Sequence, residues 1–241
     1  MRTHYNQNFF DLLQERRSVR IFDQERFFDH ETVRACLEMA TLAPNSSNLQ
    51  LWEFYRIKEG DLKNKMVPLC MRQKAALTAR ELVVVVTRRD KWKKRSEANH
   101  AYIKELYQAA DEKKRRQALN YYGKLVPKLY TNFFGWSWIK QVIAWYLGLK
   151  KPMVREVSET DIRISVHKSA ALAAMTFMYA MKAEGYDTCP MEGFDSKRVK
   201  NLLDLPKASE ISMIIACGEA KPEGIYGKRF RIPSDEVIFD L

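Results

Sequence analysis

The order of hydrophobic and polar residues predicts a few strands separated by helices. The unbroken apolar run LVVVV at 82–86 and the largely apolar run ISMIIACG at 211–218 predict strands covered on both faces. The run LWEFYRI at 51–57 predicts a further strand with much aromatic surface, and SVRIF at 18–22 alternates like a short strand.

Helical spacing of apolar residues predicts the elements between the strands. A first helix covers 9–13, and a second runs through ETVRACLEMATLA at 31–43, with Asp29 as its N-cap. A third helical stretch covers roughly 61–80, and the long apolar stretch at 161–185 predicts another helix. Because no strict βαβ repeat appears, the sequence predicts an α+β layered domain.

The segment 88–158 differs from its surroundings and is predicted to be a helical insertion in a single domain that spans 1–241. Its first half is a charged helix (93–125), and its second half, FFGWSWIKQVIAWYLGL at 133–149, is rich in aromatic residues but too short for a confident membrane span. The pattern leaves three interpretations open: a lid or dimer-clasping hairpin, a membrane-surface helix, or a partner-binding helix. As a lid, the stretch is expected to narrow an acceptor site with Phe134, Trp136 or Trp138.

Charge and cysteine content exclude several classes of protein. The net charge is +11, but residues 88–128 alone carry 13 Lys or Arg against 5 Asp or Glu, so most of the basicity belongs to the insertion. The four cysteines are scattered without CxxC spacing, which predicts neither a zinc site nor a disulfide framework. With no visible secretory signal, reduced thiols in a cytoplasm are expected. The sequence contains neither a Rossmann GxGxxG after a strand nor a P-loop.

Two short basic stretches lie outside the insertion. ERRSVRIF at 15–22 places three arginines around Ser18, and GKRFRIP at 227–233 places two more near the other end of the chain. An arginine cluster can be a solvated surface face or an anion site, since guanidinium groups match phosphate oxygens in a bidentate manner. The residues alone leave both interpretations open.

Four stretches in order, RRSVR (16–20), APNSSNLQLWEF (43–54), GYDTCPMEGFDSKRVKNLLDLP (185–206) and GKRFRIP (227–233), resemble the nitroreductase family of flavin-dependent oxidoreductases. The resemblance covers about the first 90 and the last 80 residues. It implies a nitroreductase-like mixed sheet flanked by helices, bound FMN, and NADH or NADPH as electron donor. It also implies a homodimer with FMN at the interface and a nitroaromatic, quinone or similar small-molecule acceptor.

The resemblance further implies which residues contact FMN. The basic residues match those that hold the phosphate and ribityl chain, a polar loop and a glycine turn match those beside the ring system, and two residues match its edge. In this sequence the set is Arg16, Arg17, Ser18, Arg20, Arg229 and Arg231; Asn45, Ser46, Asn48 and Gln50; Pro190, Met191, Glu192 and Gly193; and Arg72 and Gln73.

The chemistry expected of such a protein needs no catalytic side chain, because hydride transfer is the cofactor's own reaction. Glu192 is therefore expected to act through its backbone N–H. Asn45 stands where the family has serine, and Leu51 stands where it has the proline before the tryptophan. Two alternatives remain: a nucleic-acid or membrane-surface binding protein built on the basic segment, and a flavin-binding protein without turnover. Nucleic acid is the less favoured partner.

Overall fold

The structure is a computed structural model that describes residues 9–107, 112–133 and 135–241. Phe134, one of the residues expected to narrow an acceptor site, lies outside the described residues. The helices are α1 (Phe9–Glu15), α2 (His30–Ala40), α3 (Asp61–Leu69), α4 (Lys74–Thr78), α5 (Trp92–Leu106), α6 (Glu112–Asn120), α7 (Val126–Tyr130), α8 (Trp136–Leu147), α9 (Glu159–Ala183) and α10 (Ser196–Leu202). The strands are β1 (Trp52–Lys58), β2 (Glu81–Thr87), β3 (Asp187–Met191) and β4 (Glu210–Gly218).

The four strands form one sheet in the order β1-β2-β4-β3, and every neighbouring pair is antiparallel. Strand β2 lies between two others, and all seven of its residues are buried, which confirms the prediction made from the LVVVV run. Its Leu82 and Val84 pack with α3, α4 and α10 on one face, while Val83 and Val85 pack with α2 and α9 on the other. Helices therefore cover both faces of the sheet, and the predicted α+β class is confirmed.

The prediction of a strand at SVRIF is wrong. The stretch forms only two isolated bridges, a parallel one from Ser18 to Thr188 and an antiparallel one from Phe22 to Ala220. Between them the Arg20 N–H donates to the Gly224 carbonyl at 2.7 Å instead of to a strand. A Cβ on Gly224 would lie 2.3 Å from the Ile21 carbonyl oxygen, so this approach requires glycine. This parallel bridge is an isolated contact at the edge of β3, and the four described strands form an antiparallel sheet rather than the mixed sheet that the resemblance implies.

Other boundaries differ from the sequence prediction for local reasons. The helix predicted over 61–80 is two helices, because Met71 and Arg72 adopt left-handed φ values of 54° and 49° between α3 and α4. Helix α2 begins as predicted, with the Asp29 carboxylate accepting from the Glu31 N–H at 2.9 Å. Strand β3 and helix α10 were not predicted. The charged helix predicted over 93–125 is divided between α5 and α6 in the described residues.

A buried ion pair connects β1, β2 and the start of α2. The Glu81 carboxylate is fully buried and accepts from Arg56 Nε at 2.6 Å, and it lies 2.6 Å from His30 Nδ1. We expect Glu81→Gln to lower the free energy of unfolding by about 3–5 kcal/mol, because it removes the charge partner of Arg56, whose side chain is only 17% exposed. Urea unfolding of the two proteins measures this difference.

The matched control is Glu38→Gln, which breaks the exposed Arg34–Glu38 pair on α2. It is expected to change the free energy of unfolding by less than about 0.5 kcal/mol. Equal midpoints of urea unfolding for the Glu81→Gln and Glu38→Gln proteins would show that the buried pair does not stabilise the fold more than the exposed pair does.

A second ionic cluster joins β1 to the start of the insertion. Burial raises the pKa of Glu53, but hydrogen bonds from Lys91, Arg88 and Tyr55 outweigh it, so the pKa lies below its usual value. Hydrogen bonding from Arg88 likewise lowers the pKa of Asp90. A carboxylate with a depressed pKa stabilises the fold above its unfolded pKa of about 4, and this contribution is lost as the pH falls through the folded pKa.

We therefore expect the stability of the wild-type protein to decline below about pH 4 more steeply than that of Glu53→Gln, which lacks one titrating group of this cluster. Thermal unfolding of both proteins between neutral and acid pH measures the two slopes. Stability profiles that fall in parallel below about pH 4 would show that the Glu53 carboxylate does not stabilise the fold through these hydrogen bonds.

Candidate cofactor site

The two basic stretches, which are more than 200 residues apart in sequence, line one cavity of about 280 Å³. One stretch follows α1 and the other follows β4, near the end of the chain. The residues that line the cavity are Arg16, Arg17, Ser18, Arg20, Tyr226, Lys228, Arg229, Phe230 and Arg231. The structure therefore brings together all six residues that the sequence resemblance assigned to the phosphate and ribityl chain.

Backbone carbonyls hold the two stretches together. Arg17 donates to the Gly227 carbonyl at 3.0 Å. The Arg229 guanidinium donates to the carbonyls of Leu13, Gln14 and Arg16 at 3.0, 2.8 and 2.5 Å, at the end of α1. A cation at a helix C-terminus satisfies otherwise unpaired carbonyls and interacts favourably with the helix dipole. Arg229 thus fixes the C-terminal stretch against α1, a contact that its sequence position did not predict.

The described lining of the cavity concentrates positive charge. Its described lining includes six Arg or Lys side chains and no Asp or Glu. Desolvation, together with the positive charges of Arg231 and Arg17, lowers the pKa of the Arg229 guanidinium. Like charges held this close are relieved by a bound anion, and guanidinium groups are suited to a phosphate. The arrangement has the chemistry of a phosphate site.

The cavity lies along the free edge of β3. The Val19 N–H donates to the Thr188 carbonyl at 3.1 Å, beside the Ser18–Thr188 bridge. Pro190 and Met191, expected in a turn, are instead the last two residues of this strand. Both residues come shortly after Thr188, which contacts the basic stretch. The strand therefore runs from the cavity towards Glu192 and Gly193.

The turn after β3 is formed by Glu192 and Gly193, both exposed. Gln73 Nε2 donates to the Gly193 carbonyl at 2.7 Å, so the structure joins two of the predicted contact groups. A Cβ on Gly193 would lie 3.3 Å from Gln73 Nε2, so a side chain there would crowd this contact. Arg72 is exposed in the left-handed turn that precedes Gln73.

Cys189 lies beside the basic stretch but is buried, as are the other three cysteines, and all four are free thiols. Burial raises the pKa of the Cys189 thiol, although the nearby charges of Arg20 and Arg16 oppose the shift. A thiol with a raised pKa is a weak nucleophile, so its environment is that of a packing residue. Among the described residues there is no cluster of acidic, histidine or cysteine side chains that could hold a metal ion.

The polar loop at 45–50 is tightly folded on itself. The Gln50 N–H donates to the Asn45 side-chain oxygen at 2.7 Å, and Ser47, Asn48 and Gln50 have left-handed φ values of 56°, 49° and 49°. The Ser46 N–H donates to Ser169 Oγ of α9 at 3.2 Å. Non-glycine residues adopt this backbone only where surrounding contacts impose it. The loop is therefore a specified shape rather than a loose connection.

The loop and the basic cavity lie far apart within one chain. The loop precedes Trp52 at one edge of the sheet, and the cavity lies beside Thr188 of β3 at the other edge. The strand pairs Thr188–Cys217, Cys217–Glu81 and Glu81–Lys58 place Thr188 opposite the far end of β1 from Trp52. Three strand spacings and six residues correspond to roughly 14 Å across the sheet and roughly 20 Å along it. One chain does not bring these two groups together.

The insertion contacts the loop through residues that the sequence did not single out. Asn99 of α5 accepts from the Asn48 side chain at 2.9 Å and donates to the Asn48 carbonyl at 3.0 Å. Tyr121 shares a 2.8 Å hydrogen bond with Ser47. These contacts depend on how the segment after β2 folds back onto the loop, so no local sequence pattern could have identified them.

Lys228, within the GKRFRIP stretch, is another cavity residue that the sequence analysis did not assign to FMN. It could have been found from its charge alone.

The Trp-rich part of the insertion takes no part in the basic cavity. Trp136 and Trp138 belong to α8, and neither lines that cavity among the described residues. Trp138 is 70% exposed. Within this single chain, the expected narrowing of an acceptor site by these tryptophans is not observed.

Comparison with known proteins agrees with this geometry. The model of the nitroreductase family matches residues 13–219. Protein DrgA of Synechocystis sp. is 29% identical over 220 residues, covering 91% of this chain and 87% of that protein. The oxygen-insensitive NADPH nitroreductase of Helicobacter acinonychis is 23% identical, covering 94% and 93%. A structure from Exiguobacterium sibiricum, solved in complex with FMN, shares the fold with a TM-score of 0.70 at 21% identity and covers 100% of both chains.

The family match covers the first basic stretch, the polar loop, the segment 88–158 and all four strands, whereas the second basic stretch, 227–233, lies beyond the matched residues. It extends over most of the chain and includes the whole of the sheet. The chain belongs to the nitroreductase family.

Proposed function

We propose that the protein is an FMN-dependent oxidoreductase that transfers hydride from NADH or NADPH to a small-molecule acceptor such as a nitroaromatic compound or a quinone. The observation that carries the proposal is the convergence of Arg16, Arg20 and Arg231 on one cavity at the edge of β3. The similarity to the oxygen-insensitive NADPH nitroreductase of Helicobacter acinonychis supports the class of reaction.

The residues present suit FMN. Its phosphate carries up to two negative charges, and the cavity offers six cationic side chains without a carboxylate in its described lining. Arg16, Arg17, Arg20 and Arg231 would hold the phosphate, with Ser18 as an additional hydroxyl donor. In our proposal Arg229 acts as a positioning residue, because its guanidinium already donates to three carbonyls of the α1 end.

The remaining predicted residues would surround the ring system. Pro190, Met191, Glu192 and Gly193 lead away from the cavity along β3, and Gln73 is hydrogen-bonded to that turn. FMN, when bound, supplies the hydride-transfer chemistry, so the chain needs to bind, orient and tune it. Backbone N–H groups and positive charge near the ring stabilise negative charge that develops there.

We further propose a homodimer in which the second copy completes each site. The loop residues Asn45, Ser46, Asn48 and Gln50 lie across the sheet from the cavity of their own chain, so a loop from another copy would have to reach it. Donor and acceptor would then use the same open face in turn, which gives ping-pong kinetics. Four buried free thiols suit a reducing cytoplasm.

Purified protein tests the proposal directly. We expect a yellow solution with flavin absorbance, and consumption of NADH or NADPH when a quinone or nitroaromatic compound is added. Initial rates at several donor concentrations are expected to give parallel double-reciprocal lines. A colourless protein that binds DNA with a steep salt dependence would instead favour the nucleic-acid alternative. A yellow protein that oxidises no donor would leave only a flavin-binding role.

A further inference from the structure

Helix α8 exposes several of its large apolar residues and buries a lysine. Trp138, Trp145 and Tyr146 are 70%, 59% and 56% exposed, whereas Lys140 and Ala144 are 7% and 2% exposed. The usual helix of a folded domain has the opposite arrangement, with its apolar stripe against the core. An exposed apolar surface of this kind marks an interaction site.

The orientation of α8 is fixed by specific contacts on its buried side. Lys140 Nζ donates to the Leu129 carbonyl at 2.8 Å and lies 3.8 Å from a Glu159 carboxylate oxygen. Ser137 Oγ accepts from the Glu159 N–H at 3.2 Å at the start of α9. These polar contacts require Lys140 to face inward. The aromatic face consequently points outward as part of the fold.

The exposed residues form a continuous face along the helix and just beyond its C-terminal end. Trp138, Val142, Trp145 and Leu149 follow one another at intervals of three and four residues, and all are exposed. Helix α8 has 12 residues, corresponding to about 18 Å. Among the described residues, no helix has the length and hydrophobicity needed to cross a bilayer. This face could therefore enter a membrane only by lying along its surface.

The stretch of chain that contains the face is rich in positive charge. Residues 113–155 contain ten Lys or Arg and no Asp or Glu; the next acidic residue is Glu156. Lys150 Nζ lies 6.0 Å from the centre of the Tyr146 ring. Arg155 donates to the Trp145 carbonyl at 3.3 Å, at the end of α8. Lys128 lines an apolar cavity together with Ile143 of α8.

We propose that α8 docks the protein on an anionic lipid surface, with the helix lying in the interface. Tryptophan and tyrosine side chains suit the boundary between headgroups and acyl chains, and the surrounding lysines and arginines suit anionic headgroups. A second copy of the chain fits this face less well, because it would bring the same excess of positive charge. The aliphatic part of the face, Ile139 and Val142, has no role in stacking against nucleic-acid bases.

Co-sedimentation with vesicles tests the proposal on the full-length protein. We expect binding to vesicles of mixed phosphatidylcholine and phosphatidylserine but not to phosphatidylcholine alone, with binding weakened by added salt. Trp138→Ser/Trp145→Ser is expected to reduce the apparent affinity by at least about tenfold, because it removes buried apolar surface. Lys150→Glu/Lys151→Glu is expected to reduce it by at least about tenfold through lost attraction to the headgroups.

Matched variants outside α8 separate this site from bulk properties. Lys197→Glu/Lys207→Glu changes the net charge by the same amount as Lys150→Glu/Lys151→Glu, and Phe27→Ser removes an aromatic side chain that is 78% exposed. Both are expected to bind vesicles as the wild type does. Circular dichroism confirms that each variant is folded.

Four outcomes would overturn the proposal. One is the absence of wild-type binding to anionic vesicles at low salt, and another is equal weakening by Lys197→Glu/Lys207→Glu. The third is a change of oligomeric state in Trp138→Ser/Trp145→Ser with unchanged vesicle binding, which would show that a second copy covers the face. Preferential binding of the wild type to DNA, lost in the same tryptophan variant, would also contradict a lipid surface.

Discussion

The Arg20→Ala variant is expected to lose FMN on dialysis under conditions in which the wild-type protein retains it. Arg20 lines the basic cavity, and its backbone N–H is anchored to the Gly224 carbonyl at 2.7 Å. A lost hydrogen bond to a charged group costs about 1.5–3 kcal/mol, which corresponds to a Kd for FMN about 10- to about 150-fold higher. Fluorescence titration of the apoprotein measures this change.

Arg231→Ala is expected to behave in the same way, because Arg231 lines the same cavity from the C-terminal stretch. Arg34→Ala provides the control, since Arg34 is exposed on α2 and pairs only with Glu38 in the described structure. Full flavin loading of both Arg20→Ala and Arg231→Ala, with resistance to dialysis like that of the wild type, would contradict the assignment of the phosphate to this cavity.

Arg229→Ala is expected to differ from these variants in one respect. Its guanidinium holds the C-terminal stretch against the end of α1, so removing it should also lower the midpoint of thermal unfolding in the absence of FMN. A positioning role predicts that both properties change together. An FMN defect without any change in apoprotein stability would instead place Arg229 directly on the phosphate.

The second large effect is expected at Glu192. A proline there should slow flavin reduction strongly, whereas a glutamine should leave its rate largely unchanged. Proline removes the backbone N–H and fixes φ, whereas glutamine keeps the N–H and places no new restriction on φ. Glu192 follows β3, and its carbonyl accepts from the Phe194 N–H at 3.2 Å, so the substitution acts on the turn itself. We expect Glu192→Pro to slow flavin reduction by NADH or NADPH roughly a hundredfold or more, as expected for a lost backbone donor.

Glu192→Gln is the matched variant, and it should retain most of the wild-type rate because its N–H is unchanged. Stopped-flow absorbance at the flavin band, under anaerobic conditions and at equal FMN occupancy, compares the three proteins. A loss of several orders of magnitude in Glu192→Gln with FMN still bound would identify the carboxylate as a proton donor.

The sequence was sufficient to predict elements whose signal is local. The LVVVV run reads as a central strand because only a strand covered on both faces is apolar at every position, and β2 is such a strand. Asp29 is recognisable as an N-cap because its side chain accepts a hydrogen bond from the first turn of the helix that begins at the next residue. In both cases the chemistry that fixes the structure lies within a few residues.

Features that depend on distant partners could not be predicted in this way. SVRIF alternates like a strand, yet only the partners Thr188, Ala220 and Gly224 decide that it forms isolated bridges. The capping of α1 by Arg229 joins residues more than 200 positions apart. The outward face of α8 follows from inward contacts of Lys140, a residue whose charge would predict solvent exposure. Pairing and burial are tertiary properties, and no single window of sequence contains them.

The central claim is that the basic cavity holds the phosphate of FMN, and the most direct measurement compares FMN with riboflavin, which lacks the phosphate. The apoprotein forms of the wild type and Arg20→Ala are titrated with each compound by fluorescence. We predict that the wild type binds FMN much more tightly than riboflavin, and that Arg20→Ala lowers this ratio by about tenfold or more while leaving riboflavin affinity nearly unchanged. Equal affinities of the wild type for the two compounds, or an Arg20→Ala effect of the same size on both, would contradict the assignment.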